Sequence, residues 1–184
     1  MSKLTVCMYG AASDQIDKIY LDGAKELGKE IALHDFRLIY GGGASGVMGA
    51  CAEGALTNGG EVTGVIPSFM NNFEPIKKDC TELIQTETMG IRKEIMEKNA
   101  DAFIIAPGGI GTFDEFFQIL TLTELGRSQK PIVIFNCNGF YDDTIALIHK
   151  LISMKFIRPA VETLFTVCKT PEEVIHAIEW LTSQ

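Results

Sequence analysis

Short runs in which every residue is apolar alternate along this chain with longer stretches of helical period. Leu4–Tyr9, Arg37–Tyr40, Glu61–Ile66, Ala102–Ala106, Ile132–Phe135 and Leu164–Val167 read as strands, with a further one near Glu82–Gln85. Between them the pattern predicts helices over Asp14–Asp35, Gly46–Asn58, Met89–Asn99, Thr112–Leu125, Tyr141–Lys155 and Pro171–Leu181. Phe103-Ile104-Ile105-Ala106 and Ile132-Val133-Ile134-Phe135 do not alternate, as expected when helices cover both faces of a parallel sheet. The expectation is a single doubly wound, mainly parallel α/β domain, Rossmann-like, spanning residues 1–184. Pro67–Thr81 is the one long irregular stretch, a loop or a lid.

Composition narrows the partners. With 46% hydrophobic and 22% charged residues, a chain of 184 residues can bury its own core. A net charge of -8 argues against nucleic acid or an anionic membrane, because both reward clustered Lys and Arg. No apolar run has the length of a membrane span, and Leu4–Tyr9 is too short for the core of a signal peptide, so a cytoplasmic location is expected. The five cysteines are odd in number and scattered, with no C-x-x-C pair, and the three histidines fall in helical patterns. Neither a disulfide framework, a metal site nor Cys/His catalysis is indicated.

Ligands of doubly wound sheets bind beyond the carboxyl ends of the strands, so the turns there carry the candidate chemistry. Gly41-Gly42-Gly43-Ala44-Ser45-Gly46 follows a strand, precedes a helix and matches G-x-G-x-x-G. A dinucleotide site also needs an acid at the end of the next strand, but Glu61 precedes that strand, which counts against NAD. Glycines let the backbone approach a phosphate, so Gly42 and Gly43 are candidate ligand contacts. A second turn, Pro107-Gly108-Gly109-Ile110-Gly111-Thr112, stands after another buried strand, and Ser13 offers a third polar group at the same edge.

Thr112-Phe113-Asp114-Glu115 also reads as a helix capping box, as does Thr170-Pro171-Glu172-Glu173, which follows no glycine turn. Glu115 differs in standing where an anion would bind, so a cation is needed nearby. Arg92 is the candidate, on a helical face shared with Met89, Met96 and Asn99, and its guanidinium can grip a phosphate or carboxylate with two parallel bonds. Both side chains are expected at the rim of the site. The alternative is a solvated salt bridge.

Taken together, Met89-x-x-Arg92-Lys93 and Pro107-Gly108-Gly109-Ile110-Gly111-Thr112-Phe113-Asp114-Glu115 resemble the signature of the LOG family, P-G-G-x-G-T-x-x-E. Tyr40–Gly49 and Gly64-Val65-Ile66-Pro67 are similar to the same family, and the likeness runs over nearly the whole chain. The resemblance implies a cytokinin riboside 5'-monophosphate phosphoribohydrolase, releasing free base and ribose 5-phosphate from AMP or an N6-modified AMP, without metal or cofactor. It implies Arg92 and Glu115 as the catalytic pair, with Met89, Lys93, Gly108, Gly109, Ile110, Gly111, Thr112, Phe113, Asp114 and Thr121 on the nucleotide, and Glu74 as a ligand contact from the irregular loop. It also implies a homodimer, for which the apolar helix Phe116–Leu125 supplies a face. Gly90 and Asp114 depart from the family's frequent histidine and glutamate, which bears on base specificity. A nucleotide sensor without turnover is the main alternative; an amino-acid decarboxylase would need a Schiff-base lysine, and only Lys93 stands near the site.

Overall fold

The computed structural model describes residues 3–73 and 75–184. Seven parallel strands form one sheet in the order β4-β3-β2-β1-β5-β6-β7, where β1 is Thr5–Tyr9, β2 Arg37–Tyr40, β3 Glu61–Pro67, β4 Glu82–Thr86, β5 Ala102–Ile105, β6 Ile132–Phe135 and β7 Thr166–Cys168. The chain builds outward from β1 to β4 on one side, crosses back, and builds outward from β5 to β7 on the other. Right-handed crossovers then put the connecting helices of the two halves on opposite faces.

On one face lie α1 (Lys18–Leu33), α2 (Gly46–Thr57) and α6 (Pro171–Thr182), with Leu27, Ile31, Cys51, Ala55 and Ile175 packed on Val6, Met8, Leu38 and Ile104. On the other lie α3 (Met89–Asn99), α4 (Ile110–Glu124) and α5 (Asp142–Ser153), with Met96, Phe116, Ile119 and Ile148 packed on Cys7, Tyr9, Ile39, Ile105 and Ile134. Residues of β1 alternate between the two cores, so every side chain of Val6–Tyr9 is buried. This is why the central strands carry no polar alternation.

The ends of several elements differ from the sequence reading. α1 starts at Lys18, where Asp17 caps the Ile19 amide at 3.2 Å, which leaves Asp14–Ile16 in the loop after β1. It stops at Leu33, since Asp35 takes a left-handed conformation at φ 57°. The strand expected near Glu82 is a full edge strand paired to β3, with Pro67 opposite Thr86. The last strand begins later than Leu164, which ends a short 3-10 turn over Pro159–Thr163.

The break in strand order falls between β1 and β5, whose ends are level: Met8 pairs with Ile104 and Tyr9 with Ile105. Past this point the loops after β1 and β5 must diverge, one toward α1 and the other toward α4. The divergence opens a crevice.

Candidate active site

A cavity of about 350 Å³ occupies that crevice. Its walls come from the loop after β1 (Gly10–Ser13), the ends of β2 and β3 (Gly41, Ile66, Pro67), Met48 of α2, Met70, Met89 and Arg92 of α3, and the start of α4 through Gly109, Gly111, Thr112 and Glu115. A larger hollow of about 850 Å³ lies at the opposite edge of the sheet, against Leu4, Asp101, Phe103 and Pro131. No glycine turn opens there, and of its carboxylates Glu97 is bonded to Gln118 and Asp101 to the Thr5 amide.

The two glycine turns turn out to do different work. At the first, the start of α2 is filled by the protein itself: the Met48 amide donates to the Ala11 carbonyl at 3.1 Å, and a Cβ on Gly46 would meet the Ala11 oxygen at 2.5 Å and the Ser13 oxygen at 2.7 Å. Gly42 and Gly43 do not line the cavity. They hold the irregular loop: Lys77 donates its amide to Gly42 O at 3.0 Å, Gly43 forms a bridge with Ile76, and the Ala44 amide donates to Pro75 O at 2.8 Å. Gly42 sits at φ 79° against Ile66, a conformation open to glycine. Of this turn only Gly41 reaches the cavity.

At the second turn, the helix end is open. α4 begins after Gly109 with no side-chain cap, so the capping box read at Thr112 and Glu115 is not formed; Thr112 lies in the first turn and Glu115 bonds elsewhere. The box at Thr170 and Glu173 does form, with Glu173 N to Thr170 Oγ1 at 3.3 Å and Thr170 N to Glu173 Oε2 at 3.4 Å. The first amides of α4 have no partner within the helix, and they carry its positive dipole end. Side chains at Gly109 and Gly111 would meet nothing within 4 Å, so the fold itself does not demand glycine at either position. Gly108 is different, because a Cβ there would collide with the Thr112 side chain.

Below that helix end, Arg92 and Glu115 form an ion pair, Nη1 to Oε1 at 2.7 Å, while Arg92 Nε donates to the Val65 carbonyl at 3.0 Å. The residues are 7% and 8% exposed, so they form the floor of the cavity and not its rim as the sequence suggested. On α3, Arg92 and Met96 are buried and Met89 lines the cavity, whereas Asn99 is exposed and bonds back to Ile95 O at 2.7 Å. Burial raises the Glu115 carboxyl above the ordinary glutamate value; Arg92 opposes this by charge and hydrogen bond, Asp114 adds to it and Lys93 subtracts. A desolvated carboxylate fixed by a guanidinium can stabilise positive charge or activate a water molecule.

The remaining candidates surround this centre. Ser13 lines the cavity. Lys93 is engaged by Asp114 at 2.9 Å, a second link between α3 and α4 beside the first. Phe113 packs against Tyr141 and Phe117, and Ile110 points outward at 90% exposure. Thr121 is exposed and donates to the Phe117 carbonyl at 2.7 Å, far down the helix from the cavity. Glu74 lies outside the described residues. The sequence reading missed Gly10, Gly41, Pro67 and Met70, although three of them stand directly at strand ends where a ligand site was expected. Glu61 sits at the far edge of the sheet, bonded to Arg37 at 2.9 Å and Lys3 at 2.9 Å, so it does not serve a dinucleotide ribose beyond β3.

Among the described residues no helix is long and apolar enough to cross a membrane. Four of the thiols lie in the cores and Cys80 is half-buried, with burial pushing Cys51 up to about 12 and Cys168 up to about 11.

Comparison with known proteins bears on the family and the fold. Residues 48–178 match the family model described as "Possible lysine decarboxylase". A cytokinin riboside 5'-monophosphate phosphoribohydrolase of Mycobacterium tuberculosis is 42% identical over 173 residues, covering 94% of this chain and 92% of that protein. A probable enzyme of the same name from Oryza sativa subsp. japonica is 35% identical over 179 residues, 97% of this chain and 73% of its own. Among solved structures, the molybdenum cofactor carrier protein of Chlamydomonas reinhardtii superposes with a TM-score of 0.78 over 100% of both chains at 24% identity, a likeness of fold. Sequence signature, family match and extended identity to these enzymes converge: the chain belongs to the LOG family, and it is a hydrolase.

Proposed function

We propose that the cavity binds a purine nucleoside 5'-monophosphate, AMP or an N6-modified AMP, and hydrolyses its N-glycosidic bond to free base and ribose 5-phosphate. The observation that carries this reading is the open, uncapped start of α4 standing directly over a buried Arg92–Glu115 pair. The relatives' names support it.

In this reading the 5'-phosphate sits on the amides of Ile110, Gly111 and Thr112, in the space left by the two glycines that the fold does not require. That anchor holds the ribose above Glu115. As the bond from C1' to the base nitrogen breaks, its electron pair leaves with the base and positive charge grows on the sugar. The Glu115 carboxylate faces that charge, and a water oxygen bonds to C1', delivering one proton to the departing base and keeping the other on the new hydroxyl. Arg92 keeps the carboxylate aimed through two fixed donors, to Glu115 and to Val65. Met70 and Met89 give the base and any N6 substituent an apolar wall.

The protein acts as a homodimer in the same proposal. The inner face of α4 buries Thr112, Glu115, Phe116, Ile119 and Leu120. Its outer face leaves Ile110, Phe117 and Leu125 exposed in one stripe, suited to a twin helix.

Incubating purified protein with AMP and with N6-isopentenyl-AMP, then separating free base by chromatography, tests the reaction. Binding of either nucleotide without base release would leave the sensor alternative instead.

A further inference from the structure

We propose that Tyr141 is a positioning residue for the glycine turn, setting the carbonyl that leads into it and thereby the affinity for the substrate's phosphate. The inference rests on the reading of the start of α4 as the phosphate site. Tyr141 stands just before α5, is fully buried, and donates its hydroxyl proton to the Ala106 carbonyl at 2.7 Å.

Ala106 immediately precedes Pro107-Gly108-Gly109. Because proline has no N–H, the Ala106 oxygen is the only hydrogen-bonding group on the peptide that joins the two residues. Tyr141 holds it. The next carbonyl, Pro107 O, accepts from the Ala11 amide at 3.0 Å. The two peptide planes ahead of Gly108 are therefore fixed from two sides, by the loop after β6 and the loop after β1. Beyond them Gly109 has no side chain to fix it, so the direction of the following amides depends on how those planes are set.

Tyr141 is itself held firmly. Its amide donates to Asn136 Oδ1 at 2.7 Å, Asn136 Nδ2 donates to Asp142 Oδ1 at 2.7 Å, and its ring packs edge-on against Phe113 of α4 at 5.8 Å. The hydroxyl thus links the end of β6 to the entrance of α4, and burial raises its pKa, which keeps it a proton donor throughout the neutral range. A buried hydroxyl whose one bond goes to the carbonyl before a ligand turn is placed to orient that turn.

Tyr141→Phe removes this donor and keeps the ring contacts. Calorimetry with AMP and with adenosine, on Glu115→Gln protein with and without Tyr141→Phe so that AMP is not consumed, separates orientation of the phosphate turn from general loosening. The expected result is an AMP affinity lower by about fivefold, the value of one ordinary hydrogen bond, with adenosine binding unchanged. Equal losses for both ligands, or no loss for either, would overturn the role of Tyr141 alone. Glu115→Gln protein with Tyr141 intact that binds AMP no more tightly than adenosine would overturn the phosphate site beneath it. Should the variant not fold, 3-fluorotyrosine at position 141 in otherwise unaltered protein gives a second readout: its fluorine resonance should move on saturation with AMP and stay with adenosine, and a resonance indifferent to AMP rejects the proposal.

Discussion

The guanidinium of Arg92 occupies the space that a side chain on Gly41 would need. A Cβ at Gly41 would collide with Arg92 Nη2 and stand 2.8 Å from Met48 Sδ. The first glycine of the upstream turn thus makes room for the cation of the site. Gly41→Ala should displace Arg92, lower turnover by at least about tenfold, and reduce stability by about 1–3 kcal/mol, the usual range for overpacking. Steady-state kinetics and thermal unfolding check both effects.

Glu115→Gln retains an acceptor for Arg92 but removes the charge that faces the sugar. Base release should fall by about a thousandfold while AMP still binds, because charge stabilisation in the transition state is lost and the phosphate anchor is kept. Arg92→Ala is a harsher change. It leaves a buried carboxylate and the Val65 carbonyl without their donor, so about 3–5 kcal/mol of stability should be lost along with activity. Chromatography of released base and denaturant titration separate the two variants. Normal turnover in Glu115→Gln would remove this carboxylate from the mechanism.

The acid limb of kcat/KM should lie above the ordinary glutamate range, because burial raises the Glu115 carboxyl and activity requires its ionised form. The sign follows from the neighbours. Asp114 raises the carboxyl further, so Asp114→Asn should move the limb to lower pH; Lys93 lowers it, so Lys93→Met should move the limb to higher pH. A pH series on each variant reads the direction, and shifts of opposite sign would exclude Glu115 as the titrating group.

Glycines of one turn should answer differently to alanine. At Gly109 and Gly111 nothing stands within 4 Å of an added Cβ, so either substitution should leave stability intact, and Gly111→Ala, within the helix, should raise it by about 0.5–1 kcal/mol. KM for AMP should nevertheless rise by about tenfold, as charge-assisted bonds from the amides are obstructed. Gly108→Ala should instead destabilise, since its Cβ would collide with Thr112. Unfolding curves with KM measurements on the three variants give the contrast, and an unchanged KM at both Gly109 and Gly111 would place the phosphate elsewhere.

Phe117→Glu puts a charge at the centre of the exposed stripe of α4 and gives up the ring contacts of Phe117 with Phe113 and Phe116, so thermal unfolding is followed beside the assembly state. Sedimentation velocity should show a dimer for the unaltered chain and a monomer for the variant. A monomer in both would end the homodimer proposal.

What the sequence determined by itself was everything that depends on local pattern. Unbroken apolar strands between amphipathic helices dictate a parallel sheet covered on both faces, and Met89–Asn99, Arg37–Tyr40 and Ile132–Phe135 carry boundaries that the structure keeps. The signature around Gly109 and Glu115 was legible for the same reason: its residues are neighbours in the chain. Tertiary structure alone decided which glycine turn stays open, since the start of α2 is closed by the carbonyl of Ala11 and residues 75–77 lie on Gly42 and Gly43, contacts between segments that no local pattern records. It decided likewise that Glu115 bonds to Arg92 and not to its own helix end. A carboxylate in the first turns of a helix can satisfy a local amide or reach a distant cation, and only the packing of α3 beside α4, with Val65 behind it, determines which bond forms.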